Sequence, residues 1–276
     1  MGQGMVNRQT DVAIERAVQY LTSKQSTDGG FCAYNMEFLE ESNPYDTLFA
    51  VLSFQTVGRD LPQREAVVRY LQSALNQTQM FNYLYFPFWA LCQLGEWELV
   101  EPVKRCLTDL NIPLPDRPNP EDAGDNLRWL LRRVQAKTLA GNLPEHTRIQ
   151  DYLLNLQQNG GFGWSPNLIE TYLSLRILHV LNYDLQTLED TRRFLIQLQE
   201  PETGFTNTRH GLFTTLDVIH AGVFACKLLN VEILYPAAVR HFVRLCQMGK
   251  GGFARMPTGL PDIEKTYRAL QVLTTC

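Results

Sequence analysis

The chain has 276 residues, a formal net charge of −4 and a hydrophobic fraction of 45%, with 11% of all residues aromatic. That charge offers no basic footprint for a nucleic-acid partner, and no apolar run reaches membrane-spanning length. The polar start MGQGMVNRQTD is not a signal peptide, so the chain reads as cytoplasmic, touching a membrane surface only if its ligand is greasy.

Helical periodicity dominates, and nothing alternates with period two. In chain order the spacing predicts helices over 10–25, 45–57, 62–76, 81–94, 96–110, 122–140, 146–158, 167–181, 186–199, 214–229, 233–248 and 262–274, as six pairs. Four of the pairs share one phrase. Tyr20-Leu21, Tyr152-Leu153, Phe194-Leu195 and Phe242-Val243 are each followed five positions after the aromatic by Gln25, Gln157, Gln199 or Gln247. A glycine-phenylalanine break follows, at Gly29-Gly30-Phe31, Gly160-Gly161-Phe162, Gly204-Phe205 and Gly251-Gly252-Phe253, and then an acidic helix start. Glycine tolerates the left-handed conformation at a helix C-terminus, and the phenylalanine should plug between neighbouring pairs. Repetition at a period of about 40–50 residues marks a repeated supersecondary unit.

The second member of each pair is the more apolar, as in TLFAVLSF, YLYFPFWALCQL, TYLSLRILHVL and VIHAGVFACKLL. The first members carry more charge. A helix apolar on most faces must be buried, whereas an outer helix needs one apolar stripe. The expected fold is therefore all-α, an α/α toroid of six helix pairs with an inner and an outer ring, in a single domain over residues 1–276. Residues 111–122, NIPLPDRPNPED, form the longest irregular segment and should lie over one mouth as a lid carrying Asp116, Glu121 and Asp122, with Asp109 just before it. The six cysteines show no CxxC pairing and read as buried free thiols.

FLIQLQEPETGF, FVRLCQMGKGGF and YLLNLQQNGGFGW resemble the repeats of the terpene cyclase and protein prenyltransferase β-subunit superfamily, and GGFGW is similar to the Gln-Trp motif of triterpene cyclases. The resemblance spans residues 10–276 and is nearest to a single-domain class II terpene cyclase, although class II cyclases usually carry two toroids with the site between them. Protein prenyltransferases hold zinc with Asp, Cys and His. The matching positions here are Asp217, Ile219 and Lys265, so no metal and no cofactor is expected. Class II cyclases instead protonate an alkene or epoxide with the middle acid of a DxDD-Thr motif. The nearest match is Asp262-Ile263-Glu264-Lys265-Thr266, which places Glu264 as donor. Asn43-Pro44-Tyr45-Asp46-Thr47 keeps one acid, and Asp122-Ala123-Gly124-Asp125-Asn126 keeps the outer two.

The candidate catalytic acids are thus Glu264, Asp46, Asp262, Asp125 and Asp217. Acids at helix starts also cap free amides, which is the competing role for Asp46, Glu170 and Asp217, and Glu264 has Lys265 beside it. The candidate substrate-binding residues are Phe49, Tyr83, Tyr85, Trp89, Arg128, Trp129, Tyr172, His220, Phe224 and Arg268. Aromatic faces stabilise carbocations by about 0.5–2 kcal/mol each, though at helical spacing they also serve as packing. Arg128 and Arg268 need partners on an inner helix. Asp125 and Glu264 could supply them, or a substrate carboxylate or diphosphate could. His220 lies one turn from Asp217 and either bonds within the core or tunes that acid. The expected activity is proton-initiated cyclisation of a linear isoprenoid or prenylated aromatic substrate. The alternative is a non-catalytic isoprenoid-binding or protein-interaction toroid.

Overall fold

The computed structural model describes residues 2–34, 41–77, 80–114, 123–142 and 146–276. Among them are twelve α-helices: α1 (Gly2–Thr22), α2 (Pro44–Thr56), α3 (Arg64–Asn76), α4 (Phe81–Gln93), α5 (Trp97–Thr108), α6 (Ala123–Leu139), α7 (His146–Asn155), α8 (Leu168–Val180), α9 (Glu189–Gln197), α10 (Leu216–Leu229), α11 (Pro236–Leu245) and α12 (Ile263–Thr275). Every helix predicted from periodicity has its counterpart. The β-structure among the described residues is three two-residue antiparallel ribbons and two isolated bridges. Of the lid, Asp116, Glu121 and Asp122 lie outside the described residues, and Asp109 is exposed.

Side chains set where α2, α8, α10 and α12 begin. Asn43 Oδ1 accepts the Asp46 amide at 2.7 Å, Asn167 Oδ1 the Glu170 amide at 3.0 Å, Thr215 Oγ1 the Val218 amide at 3.3 Å and Asp262 Oδ1 the Lys265 amide at 2.6 Å. Each bond satisfies one donor that a helix start leaves open. The caps also correct one register. Aligned on the residue just before each helix-start threonine or its substitute, the sequence puts Asp217 level with Asp46, Glu170 and Lys265. Counted from the caps, Asp217 is instead level with Tyr45 and Glu264.

The repeated phrase has a physical reading in each copy. Gln25 bridges to Phe31, Gln157 pairs with Phe162, Gln199 with Phe205 and Gln247 with Phe253, and all four phenylalanines are fully buried. The Phe31, Phe162 and Phe253 amides donate to the hydroxyls of Thr47, Thr171 and Thr266 at 2.9–3.0 Å, tying each hairpin to its following helix. In the remaining copy Ile219 stands at the threonine position and offers no hydroxyl. The glutamine amide then reaches the next repeat: Gln25 Nε2 to Pro62 O at 3.0 Å, Gln157 Nε2 to Thr191 Oγ1 at 2.8 Å and Gln199 Nε2 to Glu232 O at 2.8 Å. Gln247 Nε2 donates to Ala13 O in α1 at 2.8 Å, so the last repeat is joined to the first.

Two compact units emerge, Met1–Val103 with Arg240–Cys276, and Lys104–Val239. In the first, α2 lies between α12 and α4, with α3 against α4 and α1 against α12. In the second, α8 lies between α6 and α10, with α7 on α8 and α9 on α10. Burial follows the predicted asymmetry. α10 is buried along most of its length, whereas α3 buries only Val67, Leu71 and Leu75. None of the six cysteines is in a disulfide, and Cys32, Cys92, Cys226 and Cys246 are buried as expected, while Cys106 is exposed.

Gly251 shows why the break needs glycine. Its φ is +98°, and a Cβ there would stand 2.2 Å from the Arg16 carbonyl oxygen of α1. Gly251→Ala should therefore cost about 2 kcal/mol of stability in urea unfolding, by backbone strain and displacement of α1. Gly249→Ala, whose Cβ would meet nothing within 4 Å, is the control. Equal stability of the two variants would remove this account of the motif.

Candidate functional site

Because α2 packs along α12 and each start is fixed by its cap, three acids named from the sequence come within electrostatic reach of one another in the first unit. They are Asp46, Asp262 and Glu264. Their surroundings differ. Glu264 is 14% exposed, with Lys265 Nζ at 2.7 Å from Oε2 and Arg268, one turn along α12, paired to Oε1. The Tyr45 hydroxyl also donates to it across the α2–α12 contact. Burial pushes the Glu264 carboxyl up. The Arg268 and Lys265 charges and the Lys265 and Tyr45 hydrogen bonds outweigh that and bring it to about 2. Tyr45 is pushed above the usual phenol range by burial and by the Glu264 charge, which keeps its proton in place to donate. Glu264 is thus a carboxylate at neutral pH with no proton to give. Its surroundings oppose the donor role that the sequence favoured.

Asp46 is the opposite case. It is 8% exposed, and its Oδ2 accepts the Ala33 amide at 2.9 Å and Asn43 Nδ2 at 2.8 Å. Burial raises its carboxyl above the usual range, and those two bonds offset only part of the rise. Both donors converge on Oδ2, so a proton belongs on Oδ1. Asp262 is raised by burial as well, partly offset by the Lys265 amide that it caps and by the Lys265 charge. Lys24 Nζ, bonded to Ala33 O at 2.6 Å, is a nearby cation that favours ionised Asp46.

Beside these acids runs a row of half-buried rings. Tyr45 meets Phe49 edge-on at 4.9 Å between centroids and Phe86 at 5.1 Å, and Phe49 meets Tyr267 at 5.5 Å. Trp89, also half-buried, lies 5.5 Å from Tyr85. Two sequence assignments shift here. Tyr85 is 2% exposed and belongs to the core, so Phe86 takes the open position on α4. Tyr83, at 62% exposed, projects into solvent instead. Tyr45, Tyr267 and Lys24 were given no site role from the sequence. Tyr267 was findable, because it is three residues beyond Glu264 and so shares its face of α12.

The other candidates lie in the second unit. Asp125 is 84% exposed at its side chain and pairs with Arg128 at 2.8 Å, a solvated ion pair rather than a poised acid. Trp129 lies under the Arg133 guanidinium at 3.8 Å and lines a cavity of about 430 Å³ with Leu130, Leu114 and Tyr152. Tyr172 meets His220 edge-on at 5.5 Å, and His220 lies 4.7 Å from Phe224, with Arg176 over the Tyr172 ring at 5.7 Å. Asp217 and His220 are both buried. Arg128 and Arg268 both pair with the acids the sequence offered them, Asp125 and Glu264.

The residues at the zinc-transferase positions do not suit the metal. Ile219 is buried with no donor atom, and the Lys265 ammonium is committed to Glu264. Among the described residues no group of three or more His, Cys, Asp and Glu side chains could hold a metal ion. No described helix is long and apolar enough to cross a membrane.

The profile of the prenyltransferase alpha-alpha toroid domain matches residues 4–87 and 128–276, and the chain belongs to that family. The unmatched stretch falls where the Gly-Phe phrase is missing from the sequence. No curated protein matches the sequence. Among solved structures, Candida albicans protein geranylgeranyltransferase-I complexed with GGPP is similar. Its TM-score is 0.71 at 16% identity, covering 94% of this chain and 90% of that one. At that identity the likeness is one of fold.

Proposed function

We propose that this chain binds a linear isoprenoid along the ring row of α12, α2 and α4 and cyclises it by protonation, as a class II terpene cyclase-like enzyme. The observation that carries this reading is a half-buried aromatic wall, Tyr45, Phe49, Phe86 and Tyr267, beside a buried carboxyl, Asp46, whose pKa is raised. Asp46 transfers its proton to the terminal alkene carbon or epoxide oxygen. The alkene π pair forms the new C–H bond, or the epoxide C–O bond breaks, and positive charge is left on the more substituted carbon. The rings stabilise that cation by about 0.5–2 kcal/mol each and exclude the water that would quench it. Internal double bonds then close rings in turn. Loss of a proton to water or to a carboxylate ends the cascade, and proton return to Asp46 resets the site. Support for an isoprenoid ligand comes from the similar fungal enzyme, which was solved with GGPP.

A second reading has its own observation. Asn43 and Asp46 exchange two hydrogen bonds, and Asn167 and Glu170 make the same exchange at the start of α8. That device is a helix cap, and it would leave the ring row as a binding surface without chemistry. The two readings separate in heavy water. Incubation with a geranylgeranyl substrate and a chelator should give a cyclic product carrying one deuterium at the protonated carbon. Substrate bound in fluorescence titration, with no product and no deuterium, would leave the binding module instead.

A further inference from the structure

We infer that the second unit docks on an anionic phospholipid surface through the two loops that lead into α8 and α10. Leu212 and Phe213, adjacent in the loop before α10, are 88% and 79% exposed, and Trp164, in the loop before α8, is 53% exposed. Large apolar side chains that open to water are costly unless something covers them.

These loops are built rather than slack. The Asn207 carbonyl accepts the Leu168 amide at 2.8 Å and Asn207 Oδ1 accepts the Ile169 amide at 3.2 Å, which ties the loop before α10 to the first turn of α8. The Thr208 carbonyl accepts both the Thr206 hydroxyl and the Gly211 amide at 3.0 Å, folding the chain so that Leu212 and Phe213 project. Trp164 stands just before that same helix start.

Charge selects the occupant. The chain carries −4 overall, yet the loop from Gly204 to Thr215 contains Arg209 and His210, both exposed, and no carboxylate; nor does the segment from Gly163 to Asn167. The first unit repeats the pattern in its own loop before α12. There Arg255 stands beside Met256 and Leu260, the last 75% exposed, with no acid between Ala254 and Leu260. Projecting apolar side chains beside cations, with a tryptophan at their base, match the headgroup–acyl boundary of an anionic bilayer. An isoprenoid dissolves in that bilayer, so the inference deepens the cyclase reading by naming where its substrate is met, while docking itself requires no turnover.

The full chain should co-sediment with vesicles of phosphatidylcholine and phosphatidylglycerol, more weakly with phosphatidylcholine alone, and less at high salt. Its tryptophan emission should be quenched by brominated lipid, and Trp164→Phe should remove most of that quenching. The Leu212→Ser/Phe213→Ser variant should lose about tenfold or more in vesicle partitioning, with an unchanged circular dichroism spectrum. Arg209→Gln should lose affinity for the anionic vesicles only. No binding by the parent, or equal binding by the double variant, overturns the inference. So does a double variant that loses self-association in sedimentation velocity but still binds vesicles, because a second copy would then be what covers the loops. Turnover of detergent-dispersed substrate is read separately. Docking without turnover sinks only the cyclase reading, and turnover without docking sinks only this one.

Discussion

Asp46→Asn should reduce turnover of a polyprenyl substrate by about 10³-fold or more while leaving the unfolding midpoint close to the parent's. The amide has nearly the shape of the acid, and its oxygen can still accept the Ala33 amide and Asn43 Nδ2 where Asp46 Oδ2 now does. What it lacks is a transferable proton. Burial disfavours the charged form of Asp46, which limits the ionic stabilisation that the amide gives up. A capping acid would behave in reverse, losing about 1 kcal/mol of stability and keeping its activity. Turnover within tenfold of the parent, measured on folded protein, would end the case for Asp46 as donor and leave Asp262 as the other raised carboxyl among the described residues of this unit.

Glu264→Gln should do most of its damage to folding. Lys265 and Arg268, at 13% and 22% side-chain exposure, would lose the carboxylate they share, and breaking a buried ion pair from one side costs about 3–5 kcal/mol. The same interaction sets a pH dependence whose sign follows from the lowered carboxyl. Glu264 stands at about 2 in the folded chain against 4.5 ordinarily. Its contribution is complete above about pH 4.5 and disappears as pH falls towards 2, amounting to about 3 kcal/mol at most by that shift. Urea unfolding of parent and variant at several pH values isolates it, since every other carboxyl is common to both chains. The stability gap should be widest near pH 6–7 and should shrink steadily below pH 4.5. A gap that is absent at pH 7, or that does not narrow on acidification, would show that Glu264 is not held by its two cations.

The architecture was legible because its signals are local. A glutamine, a glycine in a left-handed turn and a phenylalanine recur at fixed spacing, and each repeat satisfies them in the same way. The Glu264–Arg268 pair was legible too, as two residues one turn apart on one helix. Tyr45 donating to Glu264 was not, because the expected ring makes α2 and α12 neighbours without fixing which of their side chains meet. The loop between each phenylalanine and the next cap varies in length, so counting from the repeat misplaced Asp217, and only the cap on Thr215 fixes its column. On α4 no side chain of Met80 caps the start and Pro87 lies inside the helix, so the sequence offered both Tyr83 and Tyr85 and could not say which way either faces. Burial decided it.

The bond from Gln247 to Ala13, and the glycine beside it that lies against Arg16, bear on how the chain comes to fold. α1 gets its closing contacts from a segment synthesised 234 residues later. Until the segment around Gly251 has left the ribosome, the buried side of α1 around Ala13 and Ala17 lacks that cover and is a surface for other chains or chaperones to hold. Contacts so distant in sequence slow folding and make it all-or-none across the first unit, whereas an open array can add repeats one at a time.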